Sequence, residues 1–130
     1  ILNYCWGGWI ALFDICDFDN QPLPYADVVV AADIMYEPKT GRAMARRTIE
    51  ALKQKSRVII GCSPDRPGRP AFIEELKLLG IENAEFFERA GTTCSGDRHE
   101  LIRGKGSTSV SDTPQPMIVS LLDLSPDDYY

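Results

Sequence analysis

Within residues 26–37, ADVVVAADIMYE, a carboxylate and a phenol lie three positions apart, Asp33 and Tyr36. They follow the β-branched run Val28, Val29 and Val30 and stand just before Pro38. Such a run, bounded by polar residues, reads as a strand buried on both faces, the kind found in parallel sheets. Open α/β sheets bind their ligands beyond the carboxyl ends of those strands. There, an ionised carboxylate accepts hydrogen bonds from a nitrogen, and a phenol ring offers its electron-rich face to a cation. Each residue also has a plainer role. Asp33 suits a helix entry, where its oxygens satisfy backbone N–H groups, and Tyr36 suits an amphipathic boundary. If the chain does chemistry, residues 33–36 are where it is expected.

Other reactive side chains are less convergent. Asp14, Asp17 and Asp19 cluster in one loop, but lack the glycine and closing glutamate of a calcium-binding EF-hand loop. No metal site is expected. Arg66 and Arg69 lie in a segment dense in proline and glycine, and would present a carboxylate-binding fork to an acidic partner or simply be solvated. His99, the one histidine, falls in a polar stretch and has no catalytic part. The four cysteines, Cys5, Cys16, Cys62 and Cys94, form no CxxC pair and read as reduced structural thiols. Gly7 and Gly8 lack the spacing of a phosphate-binding loop; a bend beside the aromatic residues Tyr4, Trp6 and Trp9 accounts for them.

The elements that must hold these residues follow from periodicity. Residues 10–13 are a short apolar strand candidate ahead of the acidic loop. After the 28–30 strand, Pro38 fits a first helical turn, where its missing N–H would be unpaired anyway. Ala45, Ile49 and Leu52 then recur at helical spacing, with Arg42, Arg46, Arg47 and Lys53 on other faces. Residues 57–62, RVIIGC, make a second buried strand, and residues 63–70 a shaped loop. Pro70 opens a second helix with Phe72, Ile73, Leu76 and Leu79 on one face and Gly80 as terminator. Residues 84–88 give a third strand, residues 91–115 a long polar hairpin loop, and residues 117–122 a last strand before an acidic tail. Met44 and Met117 are core. The order predicts an α/β fold: a partial Rossmann-like, doubly wound sheet with parallel crossovers and a carboxyl-terminal antiparallel hairpin.

With 130 residues, 44% hydrophobic and 25% charged, the chain is one ordinary globular domain. The net charge of −5 argues against a nucleic-acid binder, which concentrates Lys and Arg. No run approaches the ~20 apolar residues of a membrane helix. The start at Ile1, without the build of a signal peptide, reads as a chain whose upstream part is missing.

Asp33-Ile34-Met35-Tyr36 resembles the DxxY motif of the seven-strand S-adenosylmethionine-dependent protein-lysine methyltransferases, which closes a strand opposite the substrate nitrogen. Residues 57–61 and 65–72, RVIIG and DRPGRPAF, are similar to the RVLIGDPGRPxF stretch of the branch that methylates the β subunit of electron-transfer flavoprotein, and of its nicotinamide-N-methyltransferase-like relatives. Cys62, Ser63 and Pro64 lengthen that loop. The family's glycine-rich cofactor motif and the acidic residue that grips the ribose have no counterpart. The resemblance covers residues 13–124 and implies the carboxyl-terminal half of a methyltransferase domain.

It implies S-adenosyl-L-methionine as cofactor, Asp33 and Tyr36 as the residues facing the methyl acceptor, and Asp17, Asp14 and Ala32 as cofactor contacts. It further implies a lysine-bearing protein substrate and an intracellular setting, cytoplasmic or mitochondrial. A small-molecule N-methyltransferase is the nearest alternative. A non-catalytic binding module of the same fold is another, because residues 10–13 would be an edge strand without neighbours. A fragment of a nicotinamide-dinucleotide dehydrogenase shares the topology but is disfavoured by the Asp-x-x-Tyr and Pro-Gly-Arg-Pro segments.

Overall fold

A computed structural model describes residues 10–92 and 116–129. The elements run β1 (Val28–Ala32), α1 (Pro38–Lys53), β2 (Arg57–Gly61), α2 (Gly68–Leu78), β3 (Phe87–Thr92) and β4 (Pro116–Leu124), followed by a 3-10 turn at Pro126–Asp128. One mixed sheet holds all four strands in the order β1-β2-β4-β3. β1 and β2 are parallel, and β4 lies antiparallel to both β2 and β3. The α/β class, the parallel crossover through a helix and the closing antiparallel pair agree with the sequence. The last strand enters between β2 and β3 rather than beside β3 alone.

α1 begins at Pro38, as its ring predicts. Thr40 Oγ1 accepts from the Glu37 N–H at 3.2 Å and donates to the Glu37 carbonyl at 2.8 Å, so Glu37 and not Asp33 makes the helix entry. α2 ends in a Schellman motif: Ile81 N–H donates to the Leu76 carbonyl and Gly80 N–H to the Lys77 carbonyl, with Gly80 at φ 100°. The core lies between the helices and one sheet face, where Met44, Ala45 and Leu52 of α1 and Phe72 and Leu76 of α2 meet Val58, Ile60, Leu122 and Leu124. Tyr129 packs against this core, so the acidic tail folds back rather than trailing into solvent.

Several sequence expectations are corrected. β1 is not buried on both faces; Val28 and Val30 are 47% and 64% exposed. No helix among the described residues covers that side, and β1 is the sheet's edge. The same open face carries a row made in register by Ala32, Gly61, Leu121 and Phe87, and both Leu121 and Phe87 are exposed. Residues 10–13 form no strand, since no described strand lies beside them to pair with. β3 starts at Phe87 instead of residue 84, because Ile81 and Ala84 are committed to the core before pairing with β4 begins. The 91–115 loop expectation falls outside the described residues, apart from Gly91 and Thr92, which belong to β3. Residues 1–9, Cys94 and His99 also lie outside. No helix of the described chain is long and apolar enough to cross a membrane.

The two helices enter from adjacent strand ends and approach there closely. A Cβ placed on Gly41 would stand 1.9 Å from the Gly68 carbonyl oxygen, and one on Gly68 would stand 2.5 Å from the Glu37 oxygen. Both obstacles are backbone, which cannot swing aside as a side chain can. Gly41→Ala should therefore destabilise the chain by about 3 kcal/mol. Gly80→Ala meets open space and bears only the left-handed penalty, about 1 kcal/mol. Urea unfolding of the two variants checks the ordering; equal midpoints would refute it.

Candidate functional site

The carboxyl ends of the parallel pair β1 and β2 lie side by side, so the loops leaving them, residues 33–37 and 62–67, share one end of the sheet. Asp33 continues the ladder by donating its N–H to the Gly61 carbonyl at 2.7 Å, then turns the chain at φ 52°. Aspartate tolerates that left-handed conformation better than most residues. The turn leaves its carboxylate facing the second loop. Ser63 N–H donates to Oδ1 at 3.4 Å, Arg66 Nε donates to Oδ1 at 2.7 Å, and Arg66 Nη2 donates to Oδ2. The result is a bidentate ion pair.

Tyr36 completes the group. The Arg66 guanidinium carbon stands 4.3 Å above the centre of its ring, a cation–π distance. Tyr36 is 57% exposed, and the side chains of Arg66 and Asp33 are 29% and 39% exposed, so the cluster opens to solvent. The hydrogen bonds from Arg66 hold the Asp33 carboxyl below its ordinary range, against a smaller opposing push from burial. The same pairing raises Arg66. Beneath them Met35 is fully buried and anchors the turn in the core.

Asp14 and Asp17 occupy a different place. Asp14 Oδ1 accepts from the Cys16 N–H at 2.8 Å, and Asp17 Oδ1 accepts from the Asn20 N–H at 3.2 Å and its amide Nδ2 at 3.1 Å. Their loop is fastened to α1 by Arg47, which donates from Nε to the Ile15 carbonyl at 3.1 Å and from Nη2 to the Asp17 carbonyl at 2.9 Å. Arg47 lies nine residues beyond the start of α1, about 14 Å along the axis from the Asp33 end. Asp33 and Tyr36 are thus brought together; Asp14 and Asp17 do not join them. Ala32 is exposed on the open face of β1, next to Asp33 in the chain. Among the described residues no three His, Cys, Asp or Glu side chains are grouped to hold a metal.

These residues make one side of a site. They offer an ionised carboxylate and an aromatic face suited to a cationic nitrogen. They do not assemble a cofactor pocket: the two loop aspartates spend their oxygens on local turns, and the edge of β1 beside Ala32 carries no neighbour among the described residues. Comparison with protein-family models, curated proteins and solved structures returns no match.

Three arginines depart from the sequence expectation. Arg47 is only 2% exposed instead of riding an outer helix face. It pairs with Glu50 at 2.7 Å, and its guanidinium carbon lies 4.9 Å and 4.2 Å from the ring centres of Phe13 and Phe18. The 66/69 fork is not offered to an acidic partner. Arg66 holds Asp33, while Arg69 donates to Glu88 at 2.8 Å and stacks on Phe86. The available signal was topological: two parallel strands put their trailing loops together, so a basic residue after β2 belongs near an acidic one after β1.

Arg47→Lys keeps the charge but loses the fork that reaches Glu50 and the carbonyls of Asp14, Ile15 and Asp17, and should cost about 2 kcal/mol. Limited proteolysis should then cut within residues 14–20, where the parent resists; an unchanged digest would refute the clasp. A second outcome concerns acid. Asp33 and Asp123 both have folded-state carboxyls lowered by arginine partners. Their stabilisation is full above the unfolded value of about 3.9 and is lost as pH falls through the lower folded values. Melting temperature should drop below about pH 4, and the Asp33→Asn, Asp123→Asn double variant should melt lower at pH 7 yet decline less on acidification. Parallel declines would remove these pairs as the cause.

Proposed function

We propose that the chain is the acceptor-binding part of an S-adenosylmethionine-dependent N-methyltransferase, with a protein lysine as the group methylated. The observation that carries this reading is the juxtaposition of an ionised Asp33 carboxylate and the Tyr36 ring, open to solvent at the carboxyl end of β1. That is the position where the Asp-x-x-Tyr resemblance requires an amine to be received. The parallel crossover followed by a folded-back terminal strand also accords with the Rossmann-like sheet expected of that family.

The chemistry available to these side chains is positional. Only a neutral amine has a lone pair to give, so the acceptor must lose its proton and then be held still. Asp33, ionised throughout the neutral range, accepts a hydrogen bond from the amine N–H and aims the lone pair away from itself. The Tyr36 ring flanks the nitrogen and favours it while it is still an ammonium. The cofactor side must come from residues beyond those grouped here, which agrees with the chain being part of a larger methyltransferase domain.

A second reading, a non-catalytic binding module, draws on the open edge of β1 and the exposed Val28 and Val30, since such edges invite pairing with another chain. The assay that separates the two uses the longest natural form of the protein. Asp33→Asn should lower methyl transfer to lysine acceptors about a hundredfold while S-adenosylhomocysteine affinity, measured by titration calorimetry, stays within about threefold. Absence of S-adenosylhomocysteine binding by the parent protein would overturn the enzyme reading in favour of the module.

A further inference from the structure

The guanidinium of Arg66 sits in the place where an external cation would be received. It is bidentate on Asp33 and stacked on Tyr36, so one side chain of the chain itself satisfies both recognition elements. We propose that Arg66 is a self-supplied occupant of this cation site, and that a primary alkylammonium group carried by a partner displaces it. The inference rests on the acceptor reading above for the identity of that group as a lysine side chain, but not for the existence of the site.

Three observations favour displacement over a permanent strut. First, the loop that carries Arg66 is fixed without its side chain. Arg66 N–H donates to the Ser63 carbonyl at 3.2 Å, Arg69 N–H to the Arg66 carbonyl at 3.0 Å, and Gly68 N–H to the Met35 carbonyl at 3.0 Å. The tight Gly41–Gly68 approach closes the same loop against α1. Second, the pair is partly solvated on both sides, and exchanges of that kind are inexpensive. Third, the local charge favours a cation after Arg66 leaves. Asp33 and Asp65 both act electrostatically on Arg66, and the nearby Arg69 is already matched by Glu88. Swinging the guanidinium out leaves a carboxylate, an aromatic face and a second acid, while Arg69 stays engaged by Glu88.

The test follows the arginine side chains themselves. In the full 130-residue chain with nitrogen-labelled arginine, n-butylammonium chloride is titrated against sodium chloride at equal ionic strength, and the Nε–H signals are read by NMR. The Arg66 signal should move saturably to the position of a free guanidinium, while that of Arg69 stays fixed. An Arg66 signal that does not move, or moves equally in sodium chloride, overturns the proposal.

Arg66→Ala removes the competitor and should bind n-butylammonium about tenfold tighter than the parent, since the binding-competent fraction is no longer diminished. Adding Asp33→Asn should abolish that gain. No gain in Arg66→Ala overturns the proposal; should that variant fail to fold, Arg66→Gln and the parent titration decide the matter in the same way. The probe needs no cofactor, so displacement without methyl transfer would sink the enzyme reading alone. Methyl transfer without displacement would sink this one alone.

Discussion

The structure depends on the locking together of two turns at one end of the sheet. Asp33 and Gly61 close the parallel ladder, Gly68 closes on Met35, and the Gly68 carbonyl lies against the first turn of α1 where only a hydrogen fits. Backbone at that separation leaves no freedom in how α1 and α2 leave the sheet. It also fixes the distance between residue 33 and residue 66. The ion pair is thus a consequence of main-chain packing, and side-chain chemistry is laid over a junction that would exist without it.

A second fastening acts at the far flank of α1. A buried guanidinium is costly unless every face is matched, and Arg47 has a carboxylate, backbone carbonyls and two aromatic rings around it. Leu23 N–H donates to Glu50 at 2.7 Å and the Leu23 carbonyl accepts from Gln54 at 3.1 Å, which continues the seam. An irregular segment with few apolar contacts is held by polar bonds to one helix. It behaves as a strap rather than as part of the sheet.

What was legible in the sequence was local. Pro38 announced α1, Gly80 ended α2, and the runs at 28–30 and 57–61 were strands in the right order. What failed was anything set by partners distant in the chain. The apolar residues Ala84, Phe86 and Phe87 suggest a strand over 84–88, yet the true β3 is the more polar FERAGT, selected because β4 pairs with it. The apolar 10–13 run had the composition of a strand and no neighbour among the described strands. Val28 and Val30 looked interior by type, but burial is decided by what packs above them. Asp33 and Tyr36 were visible as a motif; their arginine was not, because thirty-three residues of chain separate it from its carboxylate.

The insertion of β4 between β2 and β3 bears on how the chain folds. β2 meets β4 across some sixty residues of chain, from Gly61 with Leu121 to Val58 with Leu124. Contacts that distant are slow to form, because loop-closure entropy must be overcome before they contribute. On a ribosome, β1, α1, β2 and α2 can gather early, while the second edge of β2 waits for β4 to emerge. The described sheet is completed from its middle, and until β4 arrives β3 has no strand to join it to β2.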